Sequence, residues 1–287
     1  MMRIAAVQTN PRFGEVEGNL AQAAALVRSQ PADLYVLPEL FASGYLFRDR
    51  AEAARFGEEY PAGPVCRFLA NLSRERAAVV AAGFIERTRD GRLHNAGALF
   101  EGGRPLGCYR KIHLFDREWD WFDPGDAAPR VYPSGAGMIG PLICFDWIFP
   151  ETARCLALDG ATILAHMANL VLPFCQDAMI TRCLENRLFA VTANRVGQDA
   201  RDGRAVAFTG KSQIVGPDGR RLATASSTQA EVIVAEIDAS RAESKRIEGS
   251  GPDHRDAGRT NARDHGHGGR DLFADRRPGL YKRICGR

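Results

Sequence analysis

The 287-residue chain contains no run of about eighteen apolar residues, so its sequence offers no membrane-spanning helix. Its opening, MMRIAAVQTN, carries one arginine and a short apolar run, without the long apolar stretch and small-residue cleavage site of a secretory leader. An excess of one charge is also missing. The formal net charge is +3, from 38 Lys and Arg against 35 Asp and Glu, and the two signs are interleaved. A nucleic-acid surface usually requires a clustered basic face, so no nucleic-acid partner is expected. The cysteines number seven, an odd count at irregular spacing with no CxxC. That argues against a disulfide framework or a zinc site and for a reducing, cytoplasmic setting.

What is present is ordinary for a globular protein: 45% apolar and 25% charged residues, enough for a large core. A single domain over 1–287 is expected. Arg3–Gln8 reads as a first strand, Glu17–Arg28 as a helix, and Leu34–Leu37 as a short buried strand ending at Pro38–Glu39. Val65–Glu75 reads as a second helix and Ala77–Ile85 as an apolar strand, joined through the hairpin signal Asp90–Gly91 to Leu93–Phe100. Further strands are expected at Pro105–Arg110, Gly137–Phe145, Thr162–His166, Leu188–Arg195, Ala205–Val215 and Glu231–Ile237. Helices are expected at Pro150–Leu158 and Asp177–Arg187, the latter with Ile180, Leu184 and Leu188 on one face. Alternating helices and strands with frequent hairpin signals point to a mixed α/β sandwich, sheet on sheet with helices outside. Residues 248–270 hold six glycines and no large apolar side chain, which predicts a flexible insertion. Residues 271–287 regain apolar anchors and are expected to dock back as a tail.

Three residues stand at the ends of apolar strands: Glu39 after LYVLP, Lys111 after PLGCYR, and Cys144 in GMIGPLICF. A thiol at a strand-to-helix turn is exposed at a sheet's end, where backbone N–H groups favour negative charge. A thiol nucleophile needs a base and a cation or donors for the oxyanion. Lys111 is placed to lower the thiol pKa and to face that oxyanion. His113 lies two residues on, so a continuing strand puts both on one face, and a Cys/His pair with His113 or His166 is the alternative. Singly, each residue has an ordinary reading: a buried structural thiol, a solvated lysine, a turn-capping carboxylate. The GxGxxG of Gly135, Gly137 and Gly140 leads into a strand instead of opening a helix, which argues against a dinucleotide. His265 and His267 lack a clear third metal ligand.

Taken together, PEL at Pro38–Leu40, YRKIHLF at Tyr109–Phe115 and CFDWIFPE at Cys144–Glu151 resemble the three signature segments of the nitrilase superfamily, in its order and spacing. EWDWFDPGD at Glu118–Asp126, HMAN at His166–Asn169, LENR at Leu184–Arg187 and FTGKSQIVGPDG at Phe208–Gly219 extend the resemblance over nearly the whole chain. The resemblance implies a four-layer αββα sandwich and a homodimer, or a higher homo-oligomer, with the dimer formed through the helices after Cys144 and around Asp177–Arg187. It implies Cys144 as nucleophile, Glu39 as general base, Lys111 as oxyanion stabiliser with the backbone N–H of Phe145, and Glu118 as an assisting glutamate. No cofactor or metal is implied. The substrate is expected to be a small-molecule amide or nitrile, largely uncharged near the reacting carbon, with Phe145, Tyr45, Trp147 and Asn169 in the binding site and Trp119 and Trp121 as further aromatic wall. Cys144–Phe145–Asp146 resembles the amidase-type branches, and the short Asp146 is expected to leave a tight pocket favouring amides over nitriles. The alternatives are a nitrilase acting on small aliphatic nitriles or dinitriles and a catalytically idle scaffold or partner-binding protein on the same fold.

Overall fold

The computed structural model of the chain describes residues 1–247 and 270–284. They belong to two compact units, Met1–Glu243 and Ser244–Arg287.

The first unit is built on two six-stranded sheets. In one the order is Glu231–Ile237, Met2–Gln8, Leu34–Val36, Val79–Arg87, Leu93–Glu101, Arg104–Arg110. In the other it is Arg221–Thr224, Gln213–Val215, Phe189–Ala193, Ile163–Met167, Gly137–Ile143, Tyr132–Ser134. Each sheet has three parallel strands at its centre and antiparallel neighbours outside them. Helices Val16–Ser29 and Pro64–Arg76 cover the first sheet, Pro150–Leu158 and Cys175–Asn186 the second, and the sheets' other faces meet. This is the expected αββα sandwich. Central strands are covered on both faces and so read as unbroken apolar runs: Val79 through Glu86 is buried and only Arg87 emerges. Where the sheets meet, Gly97 makes room for Met167, whose Cε would lie 2.5 Å from a Cβ at that position.

Local chemistry explains the helix starts. Pro64 and Pro150 occupy first-turn positions, where the missing N–H costs nothing. The Glu58 carboxylate accepts hydrogen bonds from the N–H groups of Val65 (3.0 Å) and Cys66 (2.8 Å), satisfying donors the helix leaves open.

Several expectations needed correction. The expected Ala205–Val215 strand is two, Arg204–Ala207 and Gln213–Val215, and the former pairs with Gln198–Arg201 in a separate hairpin. Tyr132–Ser134 was missed because a proline sits in it, which an edge strand tolerates. Helix Cys175–Asn186 turns Met179, Cys183 and Asn186 inward, while Leu184 is 45% exposed. Leu188, expected on one face with Ile180 and Leu184, lies beyond the helix end and is fully buried.

In the second unit, Arg246–Ile247 pairs antiparallel with Arg270–Asp271, and the Asp271 carboxylate accepts from the N–H groups of Phe273 and Ala274 at 2.9 and 3.0 Å. The flexible insertion expected at 248–270 lies, apart from Arg270, outside the described residues. No helix among the described residues is long and apolar enough to cross a membrane.

Candidate active site

Parallel strands of both sheets deliver their C-terminal ends to one rim. Leu34–Val36 leads to Glu39, Gly137–Ile143 to Cys144, and Ile163–Met167 to Asn169. Arg104–Arg110 runs in the same direction and ends at Lys111, while the antiparallel Leu93–Glu101 brings Asn95 to this rim near its start. A parallel bridge between Thr9 and Arg195 joins the two sheets there.

At this rim Glu39, Lys111 and Glu118 form one buried cluster, each with no solvent exposure. Lys111 Nζ donates to Glu39 Oε1 at 2.7 Å and to Glu118 Oε1 and Oε2 at 2.8 and 2.7 Å. Burial works against the ammonium, but the two carboxylates outweigh it and hold Lys111 protonated, above the ordinary lysine range. Burial raises Glu118 to about 7 against the opposing pull of Lys111. Asn95 Nδ2 donates to Glu39 Oε1 at 2.7 Å, and Tyr45 Oη donates to Glu118 Oε1 at 2.8 Å. The other Glu39 oxygen, Oε2, is buried with no hydrogen-bond partner. It is a free acceptor within the cluster.

Cys144 opens a 3-10 turn, Cys144–Ile148, with φ +41°. That conformation is uncommon for a residue bearing a Cβ and is found where surrounding structure over-determines the backbone. Asp146 does much of the holding: its carboxylate accepts from the Ile143 N–H (2.9 Å) and Tyr109 Oη (2.8 Å) and contacts His113 Nδ1 (2.8 Å). His166 Nε2 lies 3.0 Å from the Cys144 carbonyl oxygen; a carbonyl only accepts, so Nε2 carries the hydrogen. Burial drives His166 down to about 4, keeping it neutral. The thiol itself is pushed well above its ordinary range, first by burial and then by Glu39, with Lys111 pulling the other way. Lys111 thus lowers the thiol as expected, but burial prevails. Cys144 Sγ lies 3.6 Å from the Asn169 carbonyl oxygen.

The thiol sits in a cleft lined by Phe115, Phe145, Trp147, Leu170, Val171 and Leu172. Phe115 and Val171 also border a wider opening shared with Tyr45, Leu46, Trp121 and the hairpin residues Arg204–Ala207. Asn169 is 2% exposed, and neither its side-chain oxygen nor its nitrogen has a partner.

A match over most of the chain decides the family. The family model described as carbon-nitrogen hydrolase matches residues 3–247. The chain belongs to the carbon–nitrogen hydrolase family. It is 43% identical over 250 residues to a nitrilase from Pyrococcus abyssi, covering 86% of this chain and 94% of that protein. It is 30% identical to an N-carbamoylputrescine amidase from Solanum lycopersicum, covering 93% of this chain and 90% of that one. Among solved structures, a carbon-nitrogen hydrolase from Helicobacter pylori G27 superposes with a TM-score of 0.82 at 24% identity, over 100% of this chain and 98% of the other. An amidase from Nesterenkonia sp., also 24% identical, gives 0.75 over 99% and 96% of the two chains. These structural likenesses concern the fold. The chain is an enzyme of the nitrilase superfamily, a carbon–nitrogen hydrolase.

The structure therefore brings Glu39, Lys111, Glu118 and Cys144 to one rim of the fold, with Tyr45 bonded to the cluster and Phe145 and Trp147 in the cleft wall. It does not unite every expected residue. The strand ends at Arg110, so Lys111 and His113 do not share a strand face. Lys111 enters the cluster, while His113 stacks on Phe149 at 3.7 Å and bonds Asp146. Neither histidine pairs with the thiol: His166 bonds the Cys144 backbone. Trp119 is 62% exposed and lines neither part of the cleft, whereas Trp121 borders its opening. Asp146 is 1% exposed and turned into its three partners, so its length does not set the width of the cleft. Sequence reasoning missed Asn95 and the anchoring of Tyr45 on Glu118. The signal for Asn95 was available: His94–Asn95 is a polar pair inside the otherwise apolar stretch Leu93–Phe100, and both are fully buried.

Proposed function

We propose that this carbon–nitrogen hydrolase cleaves a small amide, uncharged near the reacting carbon, through a thioester on Cys144, releasing ammonia and a carboxylic acid. The observation that carries the reading is the free Oε2 of Glu39, a buried acceptor in the same cluster as Lys111, whose charges act on the Cys144 thiol. Because burial keeps the thiol protonated, a base must act in step with attack. Glu39 takes the thiol proton as Sγ bonds the carbonyl carbon. Lys111 and the Phe145 N–H stabilise the oxyanion. As the tetrahedral intermediate collapses, the C–N bond breaks and the Glu39 carboxylic acid returns the proton to the departing nitrogen. A water, deprotonated by Glu39, then attacks the thioester, and acid and thiol are released. Glu118 anchors Lys111, and the unpartnered amide of Asn169 is a candidate for holding a substrate with both a donor and an acceptor. The apolar wall of Phe115, Phe145, Trp147 and Val171 favours uncharged groups at the reacting end.

A second reading has its own support. The Pyrococcus abyssi relative, 43% identical over most of both chains, is named a nitrilase. A nitrile requires the same attack, giving a thioimidate that gains water. Ammonia release measured side by side on matched aliphatic amides and nitriles distinguishes the two: the amide is expected to win in kcat/KM, and a nitrile ahead by about tenfold overturns that preference. Cys144→Ala is expected to abolish turnover on both, and full activity in that variant removes the thiol mechanism altogether.

The assembly we propose is a homodimer in a reducing, cytoplasmic setting. Ile148 (41% exposed), Leu184 (45%) and Phe174 (61%) leave apolar surface near the helix Cys175–Asn186, and the six cysteines among the described residues are free. Light scattering is expected to give twice the chain mass, and Leu184→Glu to reduce it to one; a monomeric wild type refutes the assembly.

A further inference from the structure

Arg195 is fully buried, and so nearly is its partner Asp199, at 4% exposure. Arg195 Nη2 and Nη1 reach Asp199 Oδ1 and Oδ2 at 2.9 and 3.1 Å. A buried ion pair is weak evidence of stabilisation, because an apolar replacement often serves as well. This pair does something more specific. Asp199 Oδ2 also accepts from the N–H groups of Tyr45 (3.0 Å) and Leu46 (3.2 Å). The Arg195 guanidinium lies 4.0 Å over the Phe208 ring, and Phe208 in turn packs edge-on against the Tyr45 ring at 6.0 Å. Nη2 reaches back to the Pro11 carbonyl oxygen at 2.9 Å. Tyr45 is thereby gripped by its backbone and its ring, and its hydroxyl is left on Glu118 at 2.8 Å.

We propose that the Arg195–Asp199 pair is a positioning device for the active site, fixing Tyr45 so that its hydroxyl stays bonded to Glu118 and Glu118 stays on Lys111. The inference rests on the reading of Lys111 and Glu118 as part of the hydrolytic machinery. Neither Arg195 nor Asp199 lines the cleft, so neither touches substrate. The groups facing Glu118 are Lys111, Glu39, Tyr45, the Cys144 thiol and the Phe115 N–H at 3.3 Å. Of these, Lys111 and the Tyr45 hydrogen bond favour the Glu118 carboxylate, while Glu39 opposes it. Loosening Tyr45 raises Glu118 further and moves the acid limb of the rate profile to higher pH. Arg195 and Asp199 touch no substrate, and the cleft around the thiol lies on Phe115, Phe145, Trp147 and Leu170–Leu172, with Tyr45 only at its opening, so the loss is expected chiefly in kcat, with KM little changed.

The test is a double-mutant cycle of Asp199→Asn and Tyr45→Phe, with melting temperature, kcat, KM and pH profile measured for each. Asp199→Asn is expected to lower kcat by about ten- to a hundredfold, the scale for an ångström-level misplacement in a site. KM stays near wild type and the acid limb moves upward. In the double variant kcat is no lower than in Tyr45→Phe alone, because both changes act through one hydroxyl. Multiplicative losses, or an Asp199→Asn loss with an unmoved acid limb, overturn the proposal. If Asp199→Asn does not fold, Arg195→Lys, which keeps the charge but not the two-point grip, takes its place in the cycle with the same outcomes. A wild type that releases no ammonia from any amide or nitrile refutes the hydrolytic reading itself, before any variant is compared.

Discussion

Gly83 should be irreplaceable for a reason that lies in another segment, the turn that follows the strand Leu34–Val36. A Cβ built there would lie 2.5 Å from Glu39 Cα, 2.7 Å from Leu40 N and 3.0 Å from the Glu39 carbonyl carbon. All three are backbone atoms, which cannot swing aside as a side-chain tip does. Ordinary contact begins near 3.4 Å, so Gly83→Ala must move the Glu39 backbone by about an ångström or push the Val79–Arg87 strand away. Gly83 also donates its N–H to the Pro38 carbonyl at 3.1 Å, tying the two segments together. Glu39 Oε1 holds Lys111 Nζ and Asn95 Nδ2 at 2.7 Å each, and a shift of that size breaks both bonds. An ångström of misplacement costs about a hundredfold in rate, equivalent to ~2.7 kcal/mol of transition-state stabilisation. Overpacking adds a stability loss of about 1–3 kcal/mol, more than the ~0.4–1 kcal/mol that Gly→Ala gains from a less flexible unfolded chain. Ammonia-release kinetics and thermal melts on the purified variant measure both terms. Gly97→Ala is the control, since its added Cβ meets the movable tip of Met167. A Gly83→Ala enzyme within about threefold of wild type in kcat/KM, with an unchanged melting temperature, refutes the reasoning.

Two further outcomes follow from the buried ionisable groups. Glu118 is raised from its usual 4.5 to about 7, so its contribution to stability is present below pH 4.5 and lost as pH rises through 7; Glu118→Gln should flatten this window, its melting temperature gaining on wild type as pH rises. His166 is lowered from 6.5 to about 4, so folding is favoured above pH 6.5 and loses support as pH falls toward 4; His166→Gln should melt with a shallower acid dependence there, and an unchanged slope counts against the neutral buried imidazole.

The hydrophobic periodicity alone placed most elements to within a few residues, with Pro150–Leu158 and Glu231–Ile237 matching to the residue. It did so because a strand covered on both faces and a helix covered on one leave patterns within a dozen neighbouring side chains. The three signature segments also marked Glu39, Lys111 and Cys144, since each follows its own apolar strand. What the periodicity could not carry is which side chains meet. Asn95 and Glu39 are 56 positions apart, Tyr45 and Glu118 are 73, and Asp199 reaches the Tyr45 N–H across 154. A buried polar residue such as Asn95 can stand out in an apolar strand, but its partner at such a separation leaves no local trace; the pairing exists only once strands from distant segments end at a common rim. The direction of Asp146 is a matter of the same kind. It lies two residues beyond the cysteine, yet the turn at Cys144, with φ +41°, aims the carboxylate at Tyr109, His113 and the Ile143 N–H and not into the cleft. Residue identity and order set the chemistry available; backbone direction and burial, which depend on the whole packed sandwich, settled which groups are charged and what each one touches.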